Sequence, residues 1–341
     1  MRASTLLLLL LFAGPCIGAQ TATPPAATDD LAQAHKDLQL GKVDEGIALL
    51  QRMAATHPVP KGVERELGLA YYRSSKLTQA REAFQQAMAQ DPQDIEAVQM
   101  EGLTLYRLGE PAAAIPDLER VRQWMPDAGT DANYILGLCY LHANRFDDAR
   151  RSFAAQFGEA PDSGAAWLLL ATMLQRSSLP REAADEAQKA LQADPNLPMA
   201  HLLLGEVALQ DASTEEALQQ FQAEIRVNPS NATVYERMGD VYLRMDKLDL
   251  AQASLTRSLS LDMSNTGPFI LMGRVLLRRQ DPSTAILYLR HAEKMDPGNY
   301  ITHAFLAQAY HMAGQEDDAK RENDLAAHAH ENGELQLEPP H

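Results

Sequence analysis

Prolines at 58, 92, 126, 161, 195 and 229 are separated by 34, 34, 35, 34 and 34 residues. The next position in register holds Met263, and the one after it Pro297. A period this strict along a chain of 341 residues means a tandem array, and finding such a repeat decides the fold before any single element does. Each proline marks a helix end, because the residue before a proline avoids helical geometry. Pro111, Pro180 and Pro282 fall at position 17 of their units. That suits the first turn of a second helix, where a missing N–H costs little. The unit is therefore two helices and a break.

Other columns agree. The units begin near Ala27, Lys61, Ile95, Thr130, Gly164, Pro198, Ala232, Thr266 and Tyr300. Position 8 is then always small: Ala34, Gly68, Gly102, Gly137, Ala171, Gly205, Gly239, Gly273 and Ala307. Position 20 is Gly46 and afterwards alanine, from Ala80 to Ala319. Position 11 is large in most units (Tyr71, Leu105, Tyr140, Leu174, Tyr242, Leu276, Tyr310), with Ala208 the exception. Position 24 carries Leu50, Phe84, Leu118, Phe153, Phe221, Leu255 and Leu289. Positions 4, 7, 8 and 11 share one helix face, and positions 20, 24 and 27 share a face of the second helix. Small residues at 8 and 20 let the two axes approach, and the large residue at 11 fills the space beside them.

These columns resemble the tetratricopeptide repeat (TPR) family. Trp167-Leu170-Ala171-Leu174 and Tyr235-Met238-Gly239-Tyr242 carry the likeness well, and it extends from about Ala27 to Asn332. The resemblance implies an all-α, right-handed superhelical solenoid of about nine helix-turn-helix units, spanning 27–333. First helices would line a concave groove and second helices a convex surface. Asp30, Gln33 and Asp37 depart from the pattern at one end and Asn323 at the other, as expected of capping repeats with a neighbour on one side only. Glu101 occupies an apolar column, and Pro116 lies inside a second helix, where a kink or a tolerated irregularity is expected. Residues 334–341 lack periodicity and read as a disordered tail, after an end that is acidic from Glu316 onward.

The opening "MRASTLLLLLLFAGPCIGA" has Arg2, a short apolar run and small residues at Gly18-Ala19. Residues 1–19 read as a secretory signal peptide cleaved after Ala19, which predicts a periplasmic or secreted protein. The apolar run falls short of the roughly 20 residues that span a bilayer, and no other long apolar run predicts a transmembrane segment in the mature chain. Ala13-Gly14-Pro15 before Cys16 is a poor lipidation motif, so lipid anchoring through Cys16 is the less favoured reading. Residues 20–28 are polar and contain proline, and read as a flexible linker. Beyond the leader only Cys139 remains, so no internal disulfide can staple the fold. Cys139 itself reads as a small core residue. The net charge of −16 argues against nucleic acid, whose binding needs clustered cations.

No catalytic constellation is visible, and neither a cofactor nor a metal site is expected. His328 and His330 are two apart and would point to different sides of a helix; His201 and His303 sit at position 4 and read as packed side chains. The family resemblance implies partner binding through positions 2, 5, 9, 12 and 13 of the first helices. Position 13 holds Arg73, Arg107, His142, Arg176, Arg244 and Arg278, and Tyr72, Tyr106 and Tyr134 add aromatic surface. Arginine forks onto carboxylates and tyrosine supplies contact area at low entropy cost. A cation at position 13 equally suits the end of its own helix. Glu206, Glu236 and Asp240 make the middle of the groove acidic. Position 9 holds no asparagine, which argues against the clamp that some TPR domains use on chaperone tails. The expected function is a non-enzymatic, exported scaffold for a protein or peptide partner in envelope assembly, export or biogenesis. The alternative is an accessory subunit of a polysaccharide synthesis or secretion machine.

Overall fold

The computed structural model describes residues 25–125 and 130–337. The expected signal peptide, the start of the linker and residues 338–341 lie outside the described residues. Among the described residues there are eighteen helices and no strand. First and second helices alternate: α1 Pro25–Gln39, α2 Val43–Ala54, α3 Val63–Arg73, α4 Leu77–Gln90, α5 Ile95–Arg107, α6 Pro111–Trp124, α7 Thr130–His142, α8 Phe146–Phe157, α9 Gly164–Arg176, α10 Pro180–Ala193, α11 Ala200–Gln210, α12 Thr214–Val227, α13 Ala232–Arg244, α14 Leu248–Leu261, α15 Gly267–Arg278, α16 Pro282–Met295, α17 Tyr300–Met312 and α18 Glu316–Leu337. They divide into two compact units, α1 to α7 and α8 to α18.

Within each unit every helix packs on its chain neighbours, and first helices also touch the first helix of the next repeat, as α3 does α5 and α15 does α17. That places the first helices on the inner side of each unit's curve. The contact inside a hairpin depends on the missing side chain at position 8. A Cβ on Gly205 would stand 2.3 Å from the Phe221 ring, and one on Gly102 would stand 2.8 Å from Leu118. The position 24 side chain thus lies directly over the position 8 glycine. Ala217 at position 20 is fully buried, and the equivalent Ala114 brings its carbonyl within 3.5 Å of that same point on Gly102. Large position 11 residues such as Tyr71 and Leu174 are buried beside the pair.

Turns and breaks follow one chemistry. Position 15 has a left-handed backbone in all nine repeats: Gly41, Ser75, Gly109, Asn144, Ser178, Ala212, Asp246, Gln280 and Gly314. The next residue sends its N–H back across the turn, as in Lys76 N to Tyr71 O at 2.9 Å and Ser213 N to Ala208 O at 2.8 Å. This is the Schellman closure of a helix end. Between repeats, Asp91, Asp194, Asp262 and Asp296 each accept a hydrogen bond from the backbone N–H two residues on. Such a turn bonds the aspartate to its own chain and stops the helix. After Asp91 and Asp296 the next helix is capped by Asp94 and Asn299, and Ser163 and Asn231 cap α9 and α13 in the same way.

Two expectations need correction. α1 begins at Pro25, inside the segment expected as linker, and α18 runs to Leu337, into the segment expected as a disordered tail. Helix α6 continues through Pro116 to Trp124, the tolerated irregularity rather than the kink, at the loss of one backbone bond. Pro111, Pro180 and Pro282 each open a helix. No described helix is long and apolar enough to cross a membrane.

Candidate functional site

Apart from Tyr134, in the first half of α7, the expected site residues lie at the ends of first helices, and they are distributed over both units. In the first unit Tyr72 is half-buried and Arg73 exposed at the end of α3. Arg107, at the end of α5, reaches back to them. Its Nη1 donates to the Tyr72 carbonyl at 3.3 Å, its Nη2 donates to Ser75 Oγ at 3.3 Å, and its guanidinium stands 4.6 Å from the Tyr72 ring centre. Arg107 therefore caps the preceding first helix. Arg73 makes no such contact among the described residues. Tyr106 and Tyr134 are half-buried; burial first, then Cys139 and Tyr134 close by, push the Tyr106 hydroxyl above its ordinary value. His142 is exposed at the end of α7. Cys139 is fully buried and its thiol is pushed up to about 12 by that burial.

In the second unit Arg176 is exposed at the end of α9. Arg244 and Arg278 converge on one cleft. It has a volume of about 210 Å³ and is lined by Leu243, Arg244, Arg274, Leu277, Arg278, Phe305 and Gln308. Three first helices, α13, α15 and α17, supply its walls. Arg274 lies 5.3 Å from the centre of the Phe305 ring. Its Nη1 is 3.7 Å from Asp240, whose other oxygen holds Arg244 at 2.6 Å. Arg278 pairs with Asp246 at 2.7 Å. The Arg278–Asp246 pair is open to water, at 58% and 66% exposed, whereas Asp240 is only 18% exposed. An exposed pair like Arg278–Asp246 contributes about 0–1 kcal/mol, so an incoming carboxylate can replace Asp246 at little cost.

The acidic middle of the groove is largely spent on the fold. Glu206 accepts from Gln175 at 3.2 Å and from Arg237 at 3.1 Å, joining three successive first helices. Glu236 is buried and accepts from Asn265 at 3.1 Å. Arg274, Phe305 and Gln308, with Leu243 and Leu277, are the cleft residues that the sequence columns do not single out. Arg274 stands in the position 9 column, and Phe305 at position 6 is an aromatic on the next repeat; the cleft arises only where three repeats meet.

Comparison with known proteins agrees with this architecture. Family profiles described as tetratricopeptide repeat match residues 31–95 and 168–232, 105–173 and 276–336, and 232–265. The chain belongs to the tetratricopeptide repeat family, and its helix pairs form a repeat scaffold. Similar solved structures include MamA, 19% identical over 48% of this chain and 96% of that one, with a TM-score of 0.44. YrrB, described as a TPR protein with an unusual peptide-binding site, is 19% identical over 56% of this chain and 97% of that one, at 0.46. PilF of Pseudomonas aeruginosa is 23% identical over 57% of this chain and 88% of that one, at 0.47. No curated protein matches by sequence.

Proposed function

We propose that the chain is a non-enzymatic scaffold, exported to the periplasm, that holds an acidic, aromatic-bearing segment of a protein partner in envelope assembly, export or biogenesis. The observation that carries the binding reading is the cleft of Arg244, Arg274 and Arg278 beside Phe305. Three arginines line it, and the Arg274 guanidinium stands 5.3 Å from the Phe305 ring centre, in a chain whose net charge is −16. Forked donors recognise carboxylates, and the Phe305 and Leu277 surfaces offer an apolar contact. The compartment rests on the sequence of residues 1–19, and cleavage there would start the mature chain near Gln20.

The test is site-specific photocrosslinking in the native cell from Gln308, which is exposed at the cleft, with Leu287 on α16 as a control that is 69% exposed. Adducts with a protein from Gln308, lost on replacing Arg274 and Arg278 with alanine, support the reading. Adducts from Leu287 alone move the binding surface to the second helices. Adducts confined to a component of a polysaccharide machine favour the alternative assignment. Fractionation with N-terminal sequencing tests the compartment, and an intact Met1 in a cytosolic fraction contradicts it.

A further inference from the structure

The last helix, α18, closes the array against α17. At the centre of that contact His303 is 3% exposed and Glu322 is fully buried. His303 Nδ1 lies 2.8 Å from a Glu322 carboxylate oxygen, and Nε2 lies 2.9 Å from the Pro297 carbonyl. Both neighbours are acceptors. A neutral imidazole has one N–H and satisfies only one of them; the imidazolium satisfies both. We propose that His303 is held as the imidazolium and that its second proton is the latch docking α18 onto the last repeat, so that this end of the protein opens as pH rises.

The surroundings support the charged form. Facing the ring are Glu322 from α18 and Glu293 from α16. Arg290 of α16 stands 2.7 Å from Glu293 and 3.8 Å from Glu322, and Arg321 of α18 stands 3.7 Å from Glu322. Burial alone would lower the affinity of His303 for its proton. The Pro297 carbonyl and the Glu322 hydrogen bond, with the charges of Glu322 and Glu293, outweigh it and raise His303 above its ordinary 6.5. A histidine raised on folding contributes stability that is fully present below 6.5 and is lost as pH rises through the folded-state value. Losing that proton leaves Glu322 buried with its second oxygen already lacking a hydrogen bond.

The same protein contains a pair that needs no charge. His201 and Gln220 stand at the equivalent positions of the sixth repeat, also 19 residues apart, with Nδ1 and the amide oxygen 2.7 Å apart. An amide can donate as well as accept, so either state of His201 is served. The ligand atoms of Glu293, His303 and Glu322 lie within 4.8 Å of one another, a spacing open to a divalent cation. The Arg290 guanidinium already stands between the two carboxylates, which favours the proton over a metal.

The test uses the full chain. Ring 15N shifts of His303 should show both nitrogens protonated at pH 6.5. Amide-exchange protection of Lys320 to Asp324 should then fall about tenfold per pH unit from 6.5 up to the folded-state value, while α13 and α14 stay unchanged. Glu322→Gln recreates the uncharged pair of the sixth repeat and should hold α18 at pH 8.5 with no pH dependence. The proposal is overturned by one unprotonated ring nitrogen at pH 6.5, by equal α18 protection at pH 6 and 8.5 in the parent, or by protection that rises with zinc and vanishes with chelator.

Discussion

Ala212 is held at φ +57° at the turn between α11 and α12. A left-handed residue with a Cβ costs roughly 1–2 kcal/mol, and glycine removes most of that while loosening the unfolded chain. Ala212→Gly should therefore stabilise the protein by about 0.5–1 kcal/mol in chemical denaturation; an unchanged or lower midpoint refutes the strain. Position 15 was illegible in the sequence because its residues share no chemistry: Gly, Ser, Asn, Ala, Asp and Gln all occur. Glu101 was legible as a departure. It is 2% exposed at position 7, where other repeats carry Leu67, Leu170 and Leu306. Burial, opposed by a hydrogen bond from Gln85, pushes its carboxyl up to about 7. A carboxyl raised on folding costs nothing below about 4.5 and costs progressively more as pH rises to about 7. Glu101→Leu should gain about 1–3 kcal/mol at pH 8 and less at pH 5, read from denaturation at both. An equal gain at both values contradicts the buried charge.

At the scale of the helix, the period in the prolines located the elements well. Expected unit starts at Ile95, Thr130, Gly164, Ala232 and Tyr300 coincide with helix starts, and Lys61, Pro198 and Thr266 are within two residues of theirs. The outer ends of α1 and α18 were not legible, since a helix with one neighbour shows only half the apolar pattern. Contacts between repeats were also hidden. The position 13 column presented Arg73 and Arg107 as equivalent, yet only Arg107 bonds to the preceding helix end. Arg107→Ala should cost about 0.5–1.5 kcal/mol, whereas Arg73→Ala should stay within about 0.5 kcal/mol. Thermal melts of the two variants decide this, and equal losses would show that the Arg107 contacts carry no stability.

Over the whole molecule, two helical units carry the expected binding residues, with Tyr72, Arg73, Tyr106, Arg107, Tyr134 and His142 in the first and Arg176, Arg244 and Arg278 in the second. The columns identified Arg244 and Arg278, but a column runs along one helix position and cannot show that Arg274 and Phe305 close a cleft around them. The most direct test of the binding account is titration of the partner captured at Gln308 against the wild type and the Arg274→Ala/Arg278→Ala double variant, at low and high salt. The double variant should bind more weakly by about 2–5 kcal/mol, and salt should weaken the wild-type complex far more than that of the variant. Equal affinities in all four conditions would contradict it.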